Sequence, residues 1–310
     1  MPAPKKVIKS KFLTSIFQNY LISKDIRSYK GSLIYYLIFR IIRNFLAHDI
    51  VLNIYNFKVF GSVKKNKTSY FLLKKCDFGD YHELDTIRKI SRHNKIIFLD
   101  CGCNYGFYSF YVASLSSKNV IFSIEASKKT SEQFLRNLEL NKFSNITFYN
   151  KAISNIDNNN IFFNESENDW ESSQTHKNFK LSTTSEIKSI KIDTLLRPPK
   201  YENYKVIIKL DIEGNEMGAI DGALKIIQDT TPLIIIEFSK YIFDKEKNVK
   251  YLKNFLVRND YSIYDTNKLK INLNDVILKI NSLGRGYDTI GNYYLIKNKS
   301  KTLEEFLLNE

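Results

Sequence analysis

The chain has 310 residues, of which 43% are hydrophobic and 14% aromatic, ample material for a core. Its three cysteines, Cys76, Cys101 and Cys103, exclude a disulfide framework and read as the reduced thiols of a cytoplasmic protein. Net charge is +14 and uneven: residues 1–75 hold fifteen Lys or Arg against Asp25 and Asp49, leaving the remainder nearly neutral. That asymmetry points to an anionic partner, which a membrane surface, a nucleic acid or an acidic glycan would supply.

In chain order, residues 1–50 read as two helices, about 11–23 and 31–47. Lys5, Lys6, Lys9 and Lys11 precede no long apolar stretch, so no secretory signal is expected. The run Leu33 to Phe39 is broken by Arg40 and Arg43, too soon for a span of about 20 residues. On a helix Ile34, Leu37, Ile38, Ile41 and Phe45 share a face, read here as packed on the core, with an interfacial helix on anionic lipid as the other reading. Val51–Lys58 and Tyr70–Lys74 read as a hairpin joined by the polar turn Gly61 to Thr68. A short helix follows at His82–Arg92, with Tyr81 and Glu83 expected close to the glycine loop at 102–106 and placed to touch whatever it binds.

From Lys95 the rhythm becomes that of a parallel sheet: strand 95–100, helix 105–117, strand 119–124, helix 128–141 capped by Ser127, strand 145–149. Residues 154–186 interrupt it and carry Trp170 and His176, which suits a functional insertion closing over a substrate. Ile187–Ile192 then reads as a strand. Val206–Leu210 and Pro232–Glu237 are further strands that end on acids, with a helix between them. A helix at 245–258 and strands at 261–264 and 293–296 complete the pattern.

The central stretch is Ile96-Ile97-Phe98-Leu99-Asp100-Cys101-Gly102-Cys103-Asn104-Tyr105-Gly106. An apolar run that stops at glycine reads as a buried parallel strand, and Gly102 and Gly106 let the backbone turn tightly and approach a ligand. Glu125 ends the next strand roughly 20 residues on, where a carboxylate holds ribose hydroxyls. The loop is not the G-x-G-x-x-G of dinucleotide sites, and an acid precedes it. Asp100 would repel a pyrophosphate and suits a methionine-like cation, so the cofactor expected is S-adenosylmethionine.

These segments, with Asn150-Lys151-Ala152-Ile153-Ser154, Lys209-Leu210-Asp211-Ile212-Glu213-Gly214-Asn215-Glu216 and Pro232 to Glu237, resemble the FkbM-type methyltransferases over about residues 80–297. The Lys-x-Asp-x-Glu-Gly-x-Glu block is the most discriminating part. The resemblance implies an α/β, Rossmann-like class I methyltransferase fold with a seven-stranded, mostly parallel sheet on residues 80–310. The basic helical and hairpin segment 1–79 lies outside it. It also implies O-methylation of sugars or secondary metabolites. Carried across, Asp100, Gly102, Asn104 and Gly106 line the methionine end, Glu125 and Ala126 the ribose, and Asn150 and Ala152 the adenine. Cys101 and Cys103 stand where the family commonly has small residues such as Val and Ala.

A hydroxyl acceptor needs a base within hydrogen-bond reach. Asp211 is the first candidate, Glu213 and His176 the others, with Glu216 and Glu237 at the same edge to orient the acceptor; no metal is assigned. The expected function is O-methylation of a sugar or glycan precursor at the cytoplasmic face of a membrane, residues 1–75 meeting anionic lipid. The alternative is an RNA methyltransferase with that segment on phosphates, disfavoured by the absence of an Asn-Pro-Pro-Tyr motif. Oligomeric state is left open.

Overall fold

A computed structural model describes residues 5–22, 24–46, 49–61, 67–166, 181–196, 202–284 and 287–307. The chain opens with helices α1 (Lys5–Ile22) and α2 (Leu33–Ile42), a hairpin of β1 (Ile50–Ile54) and β2 (Phe57–Gly61), and helix α3 (Lys67–Lys75). Ser32 starts α2 by accepting the Tyr35 amide at 3.2 Å. The hairpin turns on Tyr55-Asn56, at φ 47° and 72°; two left-handed central residues match the twist of paired strands. The expected partner strand, Tyr70–Lys74, is instead part of α3. A two-residue turn without glycine hid the true pairing, and a short apolar run fits helix and strand alike.

Helix α4 (Tyr81–His93) leads into β3 (Lys95–Cys101), α5 (Phe107–Leu115), β4 (Val120–Glu125), α6 (Lys128–Asn141) and β5 (Ile146–Asn150). After β6 (Ala152–Ile153), the insertion folds as an antiparallel pair, β7 (Asn160–Ser166) and β8 (Leu181–Ile190). Trp170 and His176 lie outside the described residues. Ile192, expected to end a strand, begins the short helix α7 (Ile192–Leu195).

The chain continues through β9 (Tyr204–Leu210), α8 (Glu216–Asp221), α9 (Leu224–Thr230), β10 (Leu233–Ser239) and α10 (Lys240–Phe243). It ends with α11 (Glu246–Asn259), β11 (Tyr261–Tyr264), β12 (Lys270–Ile271), α12 (Leu273–Asn281), β13 (Thr289–Lys297) and α13 (Lys301–Leu307).

The main sheet has eight strands rather than seven, in the order β12-β11-β13-β10-β9-β3-β4-β5, the extra one being the two-residue edge strand β12. The five from β10 to β5 are mutually parallel, and β13 runs against β10 and β11. Residues of β3 alternate between two cores. Ile96 and Phe98 join the cluster that includes Phe17, Leu52, Leu72 and Phe306, whereas Ile97, Leu99 and Cys101 face α8, α9 and α11. The N-terminal segment therefore covers one face of the sheet. It is fastened there by α6: Asn137 Oδ1 accepts the Phe60 amide at 2.9 Å, Asn141 Oδ1 accepts the Lys58 amide at 2.7 Å, and Asn141 Nδ2 donates to the Lys58 carbonyl at 2.7 Å.

Of the α2 face expected to meet the core, only Ile38 packs against it, and partly. Ile34, Leu37, Ile41 and Phe45 are exposed, and Tyr35 and Phe39 are the buried side chains. Periodicity marks an apolar stripe but not what covers it.

Candidate active site

Strand order reverses between β3 and β9, and in parallel sheets ligands bind beyond the carboxyl ends of strands at such a point. There Asp100 stands opposite Lys209 in the ladder, and the Asp211 amide donates to the Cys101 carbonyl at 3.1 Å. The two loops touch at Gly102, which sits at φ +82°; a Cβ there would lie 1.8 Å from the Asp211 carbonyl oxygen. Glycine is required here by conformation and by space.

A cavity of about 230 Å³ opens at this point, lined by Asp80, Asp100, Gly102, Asn104, Lys209 and Asp211, with Leu72, Phe78, Cys103, Phe107 and Tyr108 as its apolar and aromatic wall. Lys209 is almost fully buried and donates to Asp211 Oδ2 at 2.6 Å. Its ammonium lies 4.7 Å from the Tyr108 ring centroid. Burial opposes its charge, but Asp211, Asp100 and Asp80 outweigh that and hold its pKa above the usual lysine range. Asp100 is buried and accepts from Ser109 Oγ at 2.6 Å, and Asp80 accepts from Tyr108 OH at 2.9 Å. Burial pushes both carboxyls up to about 6 against the pull of Lys209.

Glu125 closes β4. Its Oε2 accepts the Asn104 amide at 3.0 Å and its Oε1 the Ser127 amide at 2.8 Å, while burial raises its pKa to about 7. Asn150 braces the same corner, donating to the Glu125 carbonyl at 2.8 Å and the Ala126 carbonyl at 3.2 Å. Asp211, at the cavity wall, also meets Glu213 and Glu237: the three are half-buried and each offers an oxygen, all within 4.8 Å of one another. Burial, then the charge of Asp211, raises Glu237 to about 8.

The structure thus brings Asp100, Gly102, Asn104 and Asp211 into one cavity, with Glu213 beside Asp211. Glu125, Ala126 and Asn150 do not line it: Glu125 adjoins it by accepting the Asn104 amide, and Asn150 braces Glu125 and Ala126 from behind. Gly106 does not line it: this glycine precedes α5 at φ +91°, and its Cβ position is filled by Phe110 and Phe134. Ala152 is buried in β6, and Glu83 is buried in the first turn of α4; neither lines the cavity. Glu216, expected to orient the acceptor, is buried and accepts the Ile212 and Gly214 amides, so it holds the loop instead. Tyr81 is exposed and lines a separate cavity with Arg27 and Arg88.

Sequence reasoning missed Lys209 and Asp80. A lysine inside the apolar run Val206–Leu210 was the available signal, because a buried lysine needs carboxylate partners.

The donor set fits an adenosylated methionine cation. Three carboxylates surround a single ammonium, which leaves the cavity net negative. Glu125, with one amide on each oxygen, keeps lone pairs for a vicinal diol.

Among solved structures, the methyltransferase FkbM from Methylobacillus flagellatus is 20% identical over 74% of this chain, with a TM-score of 0.40. The chain spans 52% of that protein's length. M. jannaschii TYW2, solved in complex with AdoMet, is 11% identical over 80% of this chain and 86% of its own, with a TM-score of 0.41. An rRNA methylase from Streptococcus thermophilus is 12% identical over 69% of this chain and 93% of its own, with a TM-score of 0.37. Likenesses this distant say nothing of the acceptor. No curated protein matches the chain. The methyltransferase FkbM domain, however, matches residues 100–263, from Asp100 at the end of β3 into β11 and more than half of the chain. On that match, the chain belongs to the FkbM methyltransferase family.

Proposed function

We propose that this methyltransferase uses S-adenosylmethionine to methylate a hydroxyl of a sugar or glycan precursor. The observation that carries the reading is the trio Asp211, Glu213 and Glu237 beside the cavity. Adjacent carboxyls suit a polyol, because each accepts or donates hydrogen bonds to neighbouring hydroxyls and one can take the proton of the attacking oxygen.

S-adenosylmethionine, when bound, supplies a methyl group activated on a sulfonium. The residues that would hold it are Asp80, Asp100 and Asn104 at its cationic end, and Glu125, braced by Asn150, at the ribose. Phe78 stacks on Phe107 at 5.0 Å and, with Leu72, keeps water from the apolar side. Asp211 is the base: it sits at the cavity wall, and the Lys209 ammonium fixes its carboxylate in place. Glu213 and Glu237 orient the acceptor, and alignment of the two reactants supplies much of the acceleration. His176 is a further base candidate carried by the insertion.

Methylation of RNA is the competing reading and rests on the basic N-terminal segment. The carboxylates of Asp80, Asp100, Asp211 and Glu213 at and beside the cavity count against it, because they repel a phosphodiester. Incubation with methyl-labelled cofactor and a panel of sugar nucleotides, glycan precursors and RNA decides the matter. Label recovered as a methyl ether on a sugar is the expected result. Label in RNA alone would overturn the reading.

A further inference from the structure

We infer that α1, α2 and the adjoining end of α3 form a docking surface for an anionic lipid bilayer. Among the described residues no helix is long and apolar enough to cross a membrane, so the surface lies on the lipid rather than spanning it.

Three observations converge. The first is apolar exposure with helical order. On α1, Phe12, Ile16 and Tyr20 recur every fourth residue and are 67%, 50% and 40% exposed. On α2, Leu33, Ile34, Leu37 and Ile41 are 70%, 68%, 47% and 66% exposed. The opposite faces hold the helices to the fold through Phe17, Leu21, Tyr35 and Phe39, and Tyr35 OH donates to the Leu73 carbonyl at 2.5 Å. Exposed apolar side chains gathered on neighbouring helices mark an interaction site.

Charge is the second. Neither helix contains an acidic residue. The acids beside them are already taken: Asp25 by Arg27, Asp49 by Arg136, and Asp77 by Lys30. Residues 1–75, which supply these helices, carry fifteen Lys or Arg against two acids, the complement of an anionic surface.

The third is a cavity of about 310 Å³ between α2 and α3, lined by Tyr36, Phe39, Arg40, Arg43, Tyr70 and Lys74. Arg43 Nη1 donates to Tyr70 OH at 3.2 Å, which sets one guanidinium at its edge. Two guanidiniums, an ammonium and tyrosine hydroxyls beside an apolar stripe suit a lipid phosphate whose acyl chains lie against Leu37 and Ile41. The same segment walls the catalytic cavity through Leu72 and Phe78, so lipid contact and catalysis share one structural unit.

The test is co-sedimentation of the full chain with vesicles of phosphatidylglycerol and phosphatidylcholine, against phosphatidylcholine alone. Binding to the anionic vesicles that weakens with added salt is expected. An Ile34→Asp/Ile41→Asp variant should lose at least about tenfold in partitioning, since two charges enter the acyl boundary. Arg40→Ala and Arg43→Ala should each lose about fivefold. Ile34, Arg40 and Ile41 are exposed, so those variants should melt as wild type does; Arg43 is half-buried against Tyr70, and its variant counts only if its melting midpoint matches wild type. A wild-type chain that stays in the supernatant overturns the inference, as do aspartate variants that sediment undiminished. So does a dimer in sedimentation velocity that the aspartates dissociate without any vesicle binding, or retention on RNA that the arginine variants abolish while vesicles are ignored. Vesicle binding needs neither methyl donor nor acceptor, so its failure leaves the proposed reaction standing, and failure of the sugar assay leaves the docking surface standing.

Discussion

The cavity beyond β3 and β9 gathers Asp80, Asp100 and Asp211 about one buried lysine, whereas α1 and α2 carry no acid and turn apolar side chains outward. In the first region each charge has a fixed partner, such as Lys209 with Asp211 at 2.6 Å or Ser109 with Asp100 at 2.6 Å. In the second, Arg40 is exposed and the apolar stripe around it is uncovered among the described residues. Organised burial makes a site for a small ligand of defined shape. Unburied charge beside apolar surface makes a site for an extended, loosely ordered partner. Substitutions that touch one region should leave the other's readout alone.

The largest expected separation is at Asp211. Asp211→Asn should lower kcat by about 100-fold or more, the usual worth of a general base, while the calorimetric Kd for S-adenosylhomocysteine moves little. A variant that loses cofactor affinity and keeps kcat would assign Asp211 to binding instead. Gly102→Ala comes next. Its Cβ meets the Asp211 carbonyl, so the loops must part, and destabilisation of about 3 kcal/mol or more is expected in thermal or denaturant melts. Smaller again is Glu125→Gln, which keeps the volume but loses the charged acceptor for two amides. Titration with S-adenosylmethionine should show affinity reduced by about tenfold, with vesicle binding untouched.

Much of the cavity was legible in the sequence, and the reasons lie in particular residues. The run Ile96–Leu99 ending at Asp100 and Gly102 could only be a buried strand meeting a tight loop, and Ser127 marked the start of α6. Lys209 escaped notice because its meaning depends on three carboxylates from separate segments, and sequence distance carries no such information. Glu216 was misassigned because a carboxylate after a glycine turn can face a ligand or fold back on its own loop, and only backbone geometry distinguishes the two. Turn chemistry hid the hairpin, since Tyr55 and Asn56 adopt left-handed conformations without a glycine to announce them. For α2 the stripe was visible and its surroundings were not.

The smallest predicted effect is a pH dependence of the cofactor-free protein. Burial holds Asp80 and Asp100 at about 6, Glu125 and Glu216 at about 7 and Glu237 at about 8, against roughly 4 for free carboxyls. Between those limits the folded chain keeps protons that the unfolded chain has released. Stability tied to these groups is therefore fully present below about pH 4 and is lost as pH rises through 6 to 8. The melting midpoint should fall by several degrees between pH 5.5 and 8.5, and saturating S-adenosylmethionine should flatten the slope. A midpoint that rises over that range would mean the folded chain holds these carboxyls below their free range rather than above it.

The asparagine clamp between α6 and β2 has a kinetic consequence. The outer rim of β2 would otherwise offer a row of unpaired amides to any passing extended chain. Asn137 and Asn141 satisfy the Phe60 and Lys58 amides only while the helix is in place. Deuterium uptake at those two amides should therefore report the undocking of the β1–β2 hairpin from α6. Asn141→Ala should quicken exchange at Lys58 while the Leu99 amide, in the centre of the sheet, still exchanges only through global opening.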